Sequence, residues 1–163
     1  MKNLLKLYVR ISGMLSYLQS PFLLAVRLYW GWQLVMTGWG KLHNLARFTE
    51  IFANLNIPFP SASAHFIGCL EFFGGILLIL GLGSRLTAFL MTCNMLVAYW
   101  TADHDAFVSF FSDPDKFSAA SPYTILFASL LVLIFGAGLF SVDALLAKRC
   151  RVWLENPGSR KND

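Results

Sequence analysis

Residues 65–83 read HFIGCLEFFGGILLILGLG, and Glu71 carries the one formal charge in this stretch. A helix rises about 1.5 Å per residue, so it needs about 20 apolar residues to cross a hydrocarbon core about 30 Å thick. Three more stretches of similar length contain a single charged side chain, that of Arg27. They are residues 21–40, 86–102 and 123–142. This pattern predicts four transmembrane helices.

The composition of the whole chain agrees with this prediction. The 163 residues are 56% hydrophobic and 13% charged, whereas soluble domains are about half apolar and a quarter charged. A soluble helical bundle would need polar outer faces, which these stretches lack because they are apolar all round. The net charge of +4 does not indicate nucleic-acid binding, because the basic residues lie beside the predicted spans. The sequence therefore indicates that the protein interacts with a lipid bilayer and not with nucleic acid.

Positive charge is unevenly distributed over the segments that flank the spans. The first and third connections hold Lys41, Arg47 and Lys116. The N-terminal segment, the second connection and the C-terminal tail hold nine basic residues: Lys2, Lys6, Arg10, Arg85, Lys148, Arg149, Arg151, Arg160 and Lys161. Because Lys and Arg are retained on the cytoplasmic side, the sequence predicts a multi-pass protein of the bacterial inner membrane with both termini in the cytoplasm.

The N-terminal segment has a helical pattern of charge. Lys2, Lys6 and Arg10 recur every four residues, which places them on one side of a helix. Residues 1–20 are therefore predicted to form a cytoplasmic interfacial helix on an anionic membrane surface. In the first outer connection, residues 44–56 have apolar and polar sides and predict a second interfacial helix, which ends at the following NIPFP turn.

These patterns together predict an all-α polytopic membrane protein. Its fold is a four-transmembrane-helix bundle with interfacial amphipathic helices at the N-terminus and in the first outer loop. Residues 21–143 hold the membrane domain, and residues 144–163 form a basic cytoplasmic tail.

Charged side chains within the spans are the main candidates for function. An ionised group in hydrocarbon costs roughly 3 kcal/mol or more, so Arg27 and Glu71 need partners or water. Glycines share a helix face with each charge, so the first two spans are expected to meet there. These glycines are Gly31, Gly38, Gly68 and Gly75. If the side chains of Arg27 and Glu71 are extended, their charged groups nearly meet. Lys41 can instead approach Glu71 from the outer end of the first span. The resulting stripe is interpreted either as a functional site or as a device that fixes helix register.

Two further groups of residues are candidates for ligand binding. Trp30, Trp32 and Gln33 lie near the middle of the first span and could line a quinone, with aromatic packing between helices as the alternative. Three histidines map to the predicted outer side, where a surface metal site is conceivable, but their spacing matches no metal motif. They are His43, His65 and His104.

The order of these features resembles that of the DoxX family of small four-helix bacterial membrane proteins. The resemblance covers about residues 25–143 and rests on Arg27 together with a series of short motifs. The motifs are TGWGKL at 37–42, NIP at 56–58, EFFGGILL at 71–78, LGLGSR at 80–85 and MLVA at 95–98. Among them, the charged second span with its glycine pair is the most specific.

The resemblance implies functional residues and two functions. By position, the candidates are Arg27, Lys41, Glu71 and Arg85, followed by His104. Relatives include the membrane subunit of thiosulfate:quinone oxidoreductase, and others are associated with oxidative-stress complexes, sulfur metabolism or metal-stress systems. One hypothesis is therefore a membrane subunit of a quinone-linked redox complex, in which Glu71 handles the proton. The other is a noncatalytic scaffold or small-solute conduit for a metal-stress or peptide-maturation system.

Both hypotheses require a second protein. The chain has no nucleotide-binding glycine loop, haem-attachment motif or cysteine cluster, so electron transfer needs a peripheral or membrane redox partner. The accessory role needs a redox or metal-handling protein to serve. A pore of useful size within four short spans would need a homo-oligomer.

Overall fold

A computed structural model describes the backbone of residues 2–155 and the side chains of residues 17–151. Within this range the chain is all-helical, as predicted, with eight helices and no strand. The helices are α1 (Lys2–His43), α2 (Leu45–Asn54), α3 (Pro60–Leu80), α4 (Ser84–Thr101), α5 (His104–Val108), α6 (Pro114–Ala119), α7 (Tyr123–Phe135) and α8 (Val142–Glu155). The side chains that define the predicted N-terminal amphipathic face, and Arg160 and Lys161 of the tail, lie outside the described residues.

The first helix is longer than the sequence pattern indicates. An interfacial helix over residues 1–20 was expected to precede a separate span, but α1 runs without a break over 42 residues and contains Pro21. At about 1.5 Å per residue it measures about 63 Å, roughly twice the hydrocarbon thickness. Proline removes one backbone donor and often kinks a helix, yet here the helix continues through it. The basic N-terminal segment is thus a helical extension of the first predicted span.

The fourth long helix is shorter than expected. A span was predicted over residues 123–142, but α7 has 13 residues and ends at Phe135, which gives a length of about 20 Å. Gly136 and Gly138 follow with φ angles of 79° and 75°, values that residues with a Cβ atom rarely adopt. The helix therefore ends at Gly136, and the chain then passes Ser20 of α1 at Gly138 and Leu139 before α8 begins at Val142.

Helices α1 and α3 pack with their backbones in contact. A Cβ atom added to Gly75 would lie 2.6 Å from the carbonyl oxygen of Gly31, and one added to Gly38 would lie 2.8 Å from that of Gly68. These distances leave no room for a methyl group. The predicted meeting of the two glycine faces is confirmed.

Two apolar clusters join the remaining helices. The first connects α1, α3, α4 and α7 in the centre of the bundle, and the second connects α4 to α5 and α7. Their buried members are Leu34, Leu78, Ala88, Met91 and Val132 in the first, and Met95, Tyr99, Ala106 and Leu126 in the second. The order of α4 and α7 around the α1–α3 pair therefore depends on ordinary side-chain packing.

Large apolar side chains also cover the outside of the bundle. They occur on every long helix and include Trp32, Phe73, Phe89, Leu96, Phe127 and Ile134, each more than one-third exposed. By length and composition, α3 (Pro60–Leu80) is the one helix among the described residues that qualifies as a membrane span, while the apolar α7 is shorter. A soluble protein rarely exposes so large an apolar surface.

The close contact between α1 and α3 gives a test of the fold. Gly75→Ala should lower the free energy of unfolding by about 1–3 kcal/mol, because the new methyl group must push two backbones apart. Gly40→Ala is the matched control, since a Cβ atom there has nothing within 4 Å. The control should be neutral or stabilising by up to about 1 kcal/mol, because alanine favours helix. Thermal unfolding in detergent micelles measures both, and equal midpoints for the two variants would contradict the packing.

Candidate functional site

Polar side chains meet at both ends of the bundle. The α2 end is defined here as the end where α1 finishes at His43 and α3 starts at Pro60. The α8 end is the opposite end, where α3 finishes at Leu80 and α8 starts at Val142. The two ends have different chemistry.

At the α2 end, a buried carboxylate is held by two donors. Lys41 Nζ lies 2.5 Å from Glu71 Oε1, and Asn94 Nδ2 donates to the same oxygen over 3.3 Å. Glu71 is only 2% exposed, and no donor in the described part of the chain reaches its buried Oε2 atom. One carboxylate oxygen therefore accepts two hydrogen bonds, and the other is a buried acceptor without a donor from the described residues.

Three helices supply these side chains, each for a local reason. Lys41 lies in the last turn of α1, where a cation is favoured by the helix dipole. Glu71 follows Gly68 by one helical turn on the face of α3 that packs against α1, so a side chain from α1 can reach it. Asn94 lies on the inner side of α4, one turn after the buried Met91.

A cavity of about 520 Å³ opens beside this group, and it is called the α2 cavity below. Lys41, Glu71 and Asn94 form its polar lining toward the interior of the bundle, and the exposed Asn44 and Arg47 lie at its rim. Most of the remaining wall is apolar, with Phe52, Ile67, Met95 and Ile125 among the lining side chains. Cavities of about 300–1,000 Å³ with apolar walls and a few polar groups are typical of small-molecule sites.

The electrostatics of the α2 cavity follow from these positions. Glu71 and Lys41 neutralise each other, while Arg47 forms no salt bridge within the described residues. The interior therefore offers a neutral pair and the rim carries one positive charge. Such a site can hold a small, largely apolar molecule with a polar group at one end.

At the α8 end, Arg27 donates a hydrogen bond to a backbone carbonyl. Arg27 is 1% exposed, and its Nη2 donates to the carbonyl oxygen of Phe140 over 2.5 Å. The guanidinium also packs so closely against Gly81 that a Cβ atom there would collide with Nη1. The expected approach of Arg27 to Glu71 is therefore not formed. The reason is that the chain after α7 folds back and presents a carbonyl that needs a donor.

Asp143 closes the same end of the bundle. Its Oδ1 accepts from the backbone N–H of Gly83 over 2.7 Å, and its Oδ2 accepts from that of Ser84 over 2.9 Å, so it caps α4 from a distant part of the chain. Burial alone would raise the pKa of Asp143, but the hydrogen bonds from Ser84 and Gly83 and the charge of Arg27 together hold it below its ordinary value.

Ser129, Gly136 and Asp143 recur at intervals of seven residues, which would place them on one face of a single helix through residue 143. This alignment is not formed, because α7 ends at Phe135. Asp143 instead reaches α4 because it lies at the start of α8.

The aromatic candidates of the first span lie away from the α2 cavity, whose lining contains none of them. Trp32 is 60% exposed on the outside of the bundle, and Trp30 packs edge-on against Tyr29 with ring centroids 4.8 Å apart. Gln33 is half-buried on another part of α1. The exposed Arg85 lies beside Gly136 at the α8 end.

The three histidines occupy separate positions. His43 Nδ1 donates to the carbonyl of Trp39 over 3.0 Å, and His65 Nδ1 donates to that of Ser61 over 2.9 Å. His104 packs edge-on against Trp100. Within the described residues, no group of three or more His, Cys, Asp or Glu side chains is placed to hold a metal ion.

Sequence reasoning did not single out two residues of the α2 cavity as site residues. Asn94 had a signal, since it is an amide within an apolar span. Arg47 had only its place on the polar side of α2, which is also where a solvated charge belongs.

Comparison with known proteins identifies the family model that fits the chain. The DoxX model matches residues 22–104, which is about half of the sequence and includes Arg27, Lys41, Glu71 and Asn94. No curated protein and no solved structure matches the chain.

The cap formed by Asp143 predicts a pH-dependent stability. Replacement by asparagine should lower the free energy of unfolding at pH 7 by about 1 kcal/mol, because one carboxylate oxygen becomes an amide that cannot accept. The folded pKa is lowered, so this stabilisation is complete above the unfolded pKa of about 3.9 and is lost as the pH falls through the folded value. Thermal unfolding of both proteins from pH 6 to pH 3 measures it. A difference in midpoint that stays constant down to pH 3 would contradict the assignment.

Proposed function

The chain belongs to the DoxX family, a family of membrane proteins, and on this basis we propose that α1, α3, α4 and α7 form a four-helix transmembrane bundle. The exposed apolar side chains on all four helices support the proposal, since they form a surface that suits lipid. Helix α7 is too short to cross the hydrocarbon alone, so the segment after it completes the crossing. In that segment the carbonyl of Phe140 accepts from Arg27, the N–H of Leu139 donates to Ser20 Oγ, and the N–H of Asp143 donates to the carbonyl of Gly81. Such pairing is what a non-helical chain at membrane depth requires.

The distribution of basic residues supports an orientation. Arg85, Lys148, Arg149 and Arg151 all lie at the α8 end, which is therefore the cytoplasmic side. The α2 end and the α2 cavity then face the outside of a bacterial inner membrane, and both termini lie in the cytoplasm.

Cysteine labelling tests this orientation. Cys150 is exposed in α8, and it should react with a membrane-impermeant maleimide only after cells are broken. Ser112→Cys, made in a chain that carries Cys150→Ser, should react in intact spheroplasts because Ser112 is exposed between α5 and α6. Cys69 and Cys93 should react slowly in both states, because the hydrocarbon around the proposed spans excludes a water-soluble reagent. Labelling of Cys150 in intact spheroplasts would reverse the orientation.

We further propose that the protein is the membrane subunit of a quinone-linked redox complex and that the α2 cavity holds the ring of the quinone. The observation that carries this proposal is the meeting of Lys41, Glu71 and Asn94 at the edge of an apolar cavity of about 520 Å³. A quinone takes up two electrons and two protons at its two carbonyl oxygens and becomes a quinol. Apolar walls suit its ring, and the polar group suits one of its oxygens.

Each polar residue has a role in this proposal. Lys41 donates a hydrogen bond to one carbonyl oxygen of the quinone. Glu71 exchanges a proton with that same oxygen through Oε2, the carboxylate oxygen that has no donor within the described residues. Asn94 holds the other oxygen of Glu71 in place. The electrons come from a redox partner protein, which can approach the exposed acidic segment around α5 and α6 or the basic α8. Association into a homo-oligomer is compatible with the apolar outer surface.

A noncatalytic scaffold for a metal-stress or peptide-maturation system is the second candidate. The fold disfavours a solute conduit, since the cluster of Leu34, Leu78 and Met91 fills the bundle below the cavity. A scaffold does not need a ligand in the α2 cavity, so the two candidates differ in whether a quinone is bound there.

Filling the cavity separates them. Quinone should copurify with the wild-type protein from native membranes and be lost from Ala98→Trp, because Ala98 lines the cavity. Leu96→Trp is the matched control on the same helix, since Leu96 is 44% exposed and faces outward, and it should retain the quinone. Mass spectrometry of extracted lipids gives the ratio of quinone to protein. Equal quinone content in the two variants, or none in the wild type, would favour the scaffold.

A further inference from the structure

The α2 cavity presents a hydrogen-bond acceptor beside a donor. Glu71 Oε1 accepts from Lys41 and Asn94, whereas Oε2 is buried and no donor of the described chain reaches it. An ammonium group has three N–H donors, and Lys41 uses one of them on Glu71. The same short stretch of wall can therefore both accept and donate.

We infer that this cavity selects a neutral hydroxyl group over a carbonyl group. A hydroxyl can donate its hydrogen to Glu71 Oε2 while its oxygen accepts from Lys41 Nζ. A carbonyl oxygen can only accept, so it leaves Oε2 buried without a donor, which is a costly state for a carboxylate oxygen. The inference rests on the proposed function, because it specifies which form of the bound molecule the site prefers.

The charges around the cavity disfavour ionic ligands. A ligand ammonium group would be repelled by Lys41 and by Arg47 at the rim. A ligand carboxylate would place its charge against the open oxygen of Glu71. The apolar wall, which includes Ile67 and Ile125, adds a desolvation cost for either ion. A neutral molecule with a hydroxyl group satisfies the acceptor without these penalties.

For a quinone-type ring, this selection separates the two redox forms. The reduced form carries hydroxyl groups and matches the open acceptor, while the oxidised form carries carbonyl groups and does not. The reduced form should therefore bind more tightly, in the way that sites built around a ligand hydroxyl reject analogues that lack it.

Titration with three related probes tests the inference on the wild-type protein. The probes are 2,3,5-trimethyl-1,4-hydroquinone, the corresponding quinone and the corresponding 1,4-dimethyl ether, added under argon to protein in detergent micelles and followed by calorimetry. The dissociation constant of the hydroquinone should be at least about tenfold lower than that of the quinone. The ether keeps the ring but has no donor, so it should bind no better than the quinone. Ala98→Trp provides the baseline for partition into micelles.

The outcomes distinguish the inference from the proposed function. Equal affinity for hydroquinone and quinone, with both lost in Ala98→Trp, would overturn hydroxyl selection and leave the quinone site standing. Tight binding of the ether would overturn it equally. If none of the three probes binds above the Ala98→Trp baseline, the proposed function itself fails and the inference fails with it.

Glu71→Gln adds a test of the residue responsible. The amide of glutamine can donate to a carbonyl, so the preference for hydroquinone should fall to about twofold or less, with tighter binding of the quinone. A preference that stays tenfold in a folded Glu71→Gln protein would assign the selection to another group. The wild-type probe series decides the main question if this variant does not fold.

Discussion

The ion pair between Lys41 and Glu71 joins α1 to α3, and the arrangement of the α2 end depends on it. A carboxylate in the middle of an apolar helix is tolerated only if another group offsets its desolvation, and Lys41 does so at 2.5 Å. The backbones of α1 and α3 also lie closer than ordinary side chains permit, through the contacts of Gly31 with Gly75 and of Gly38 with Gly68. The glycines and the ion pair therefore hold the same two helices together, the glycines by close packing and the ion pair by charge.

The opposite end solves a related problem in a different way. The helical hydrogen bonds of α7 stop at Phe135, so the next residues leave backbone groups that hydrocarbon cannot satisfy. Arg27 donates to the carbonyl of Phe140, and the N–H of Asp143 donates to that of Gly81. The buried arginine is thereby explained by the end of a helix. Its charge is balanced in part by Asp143, so it does not need Glu71.

These two ends show what helical periodicity reveals and what it does not. Glycine and charge at intervals of three and four residues on both spans placed Lys41 near Glu71 correctly, because the spacing determines the face of a straight helix. The end of α7 was missed because the apolar Leu139 and Phe140 extend the hydropathic pattern beyond Gly136. The partner of Arg27 was missed because a backbone carbonyl has no sequence signature. The α2 cavity was missed because it depends on the relative positions of several helices, and Trp30 and Trp32 are aromatic whether they face ligand or lipid.

The two ends also differ in how their buried charged residues could serve a function, and both residues, Arg27 and Glu71, lie within the DoxX match. Arg27 and Glu71 both retain buried polar atoms without a partner in the described chain, so the unsatisfied atoms alone do not distinguish them. Their surroundings do. The guanidinium is pressed against Gly81 and the carbonyl of Phe140, where the backbone itself occupies the space that a ligand would need. Glu71 lines a cavity of about 520 Å³, and under the proposed function a molecule bound there supplies the missing donor. These surroundings favour a structural role for Arg27 and make Glu71 the candidate for contact with a ligand.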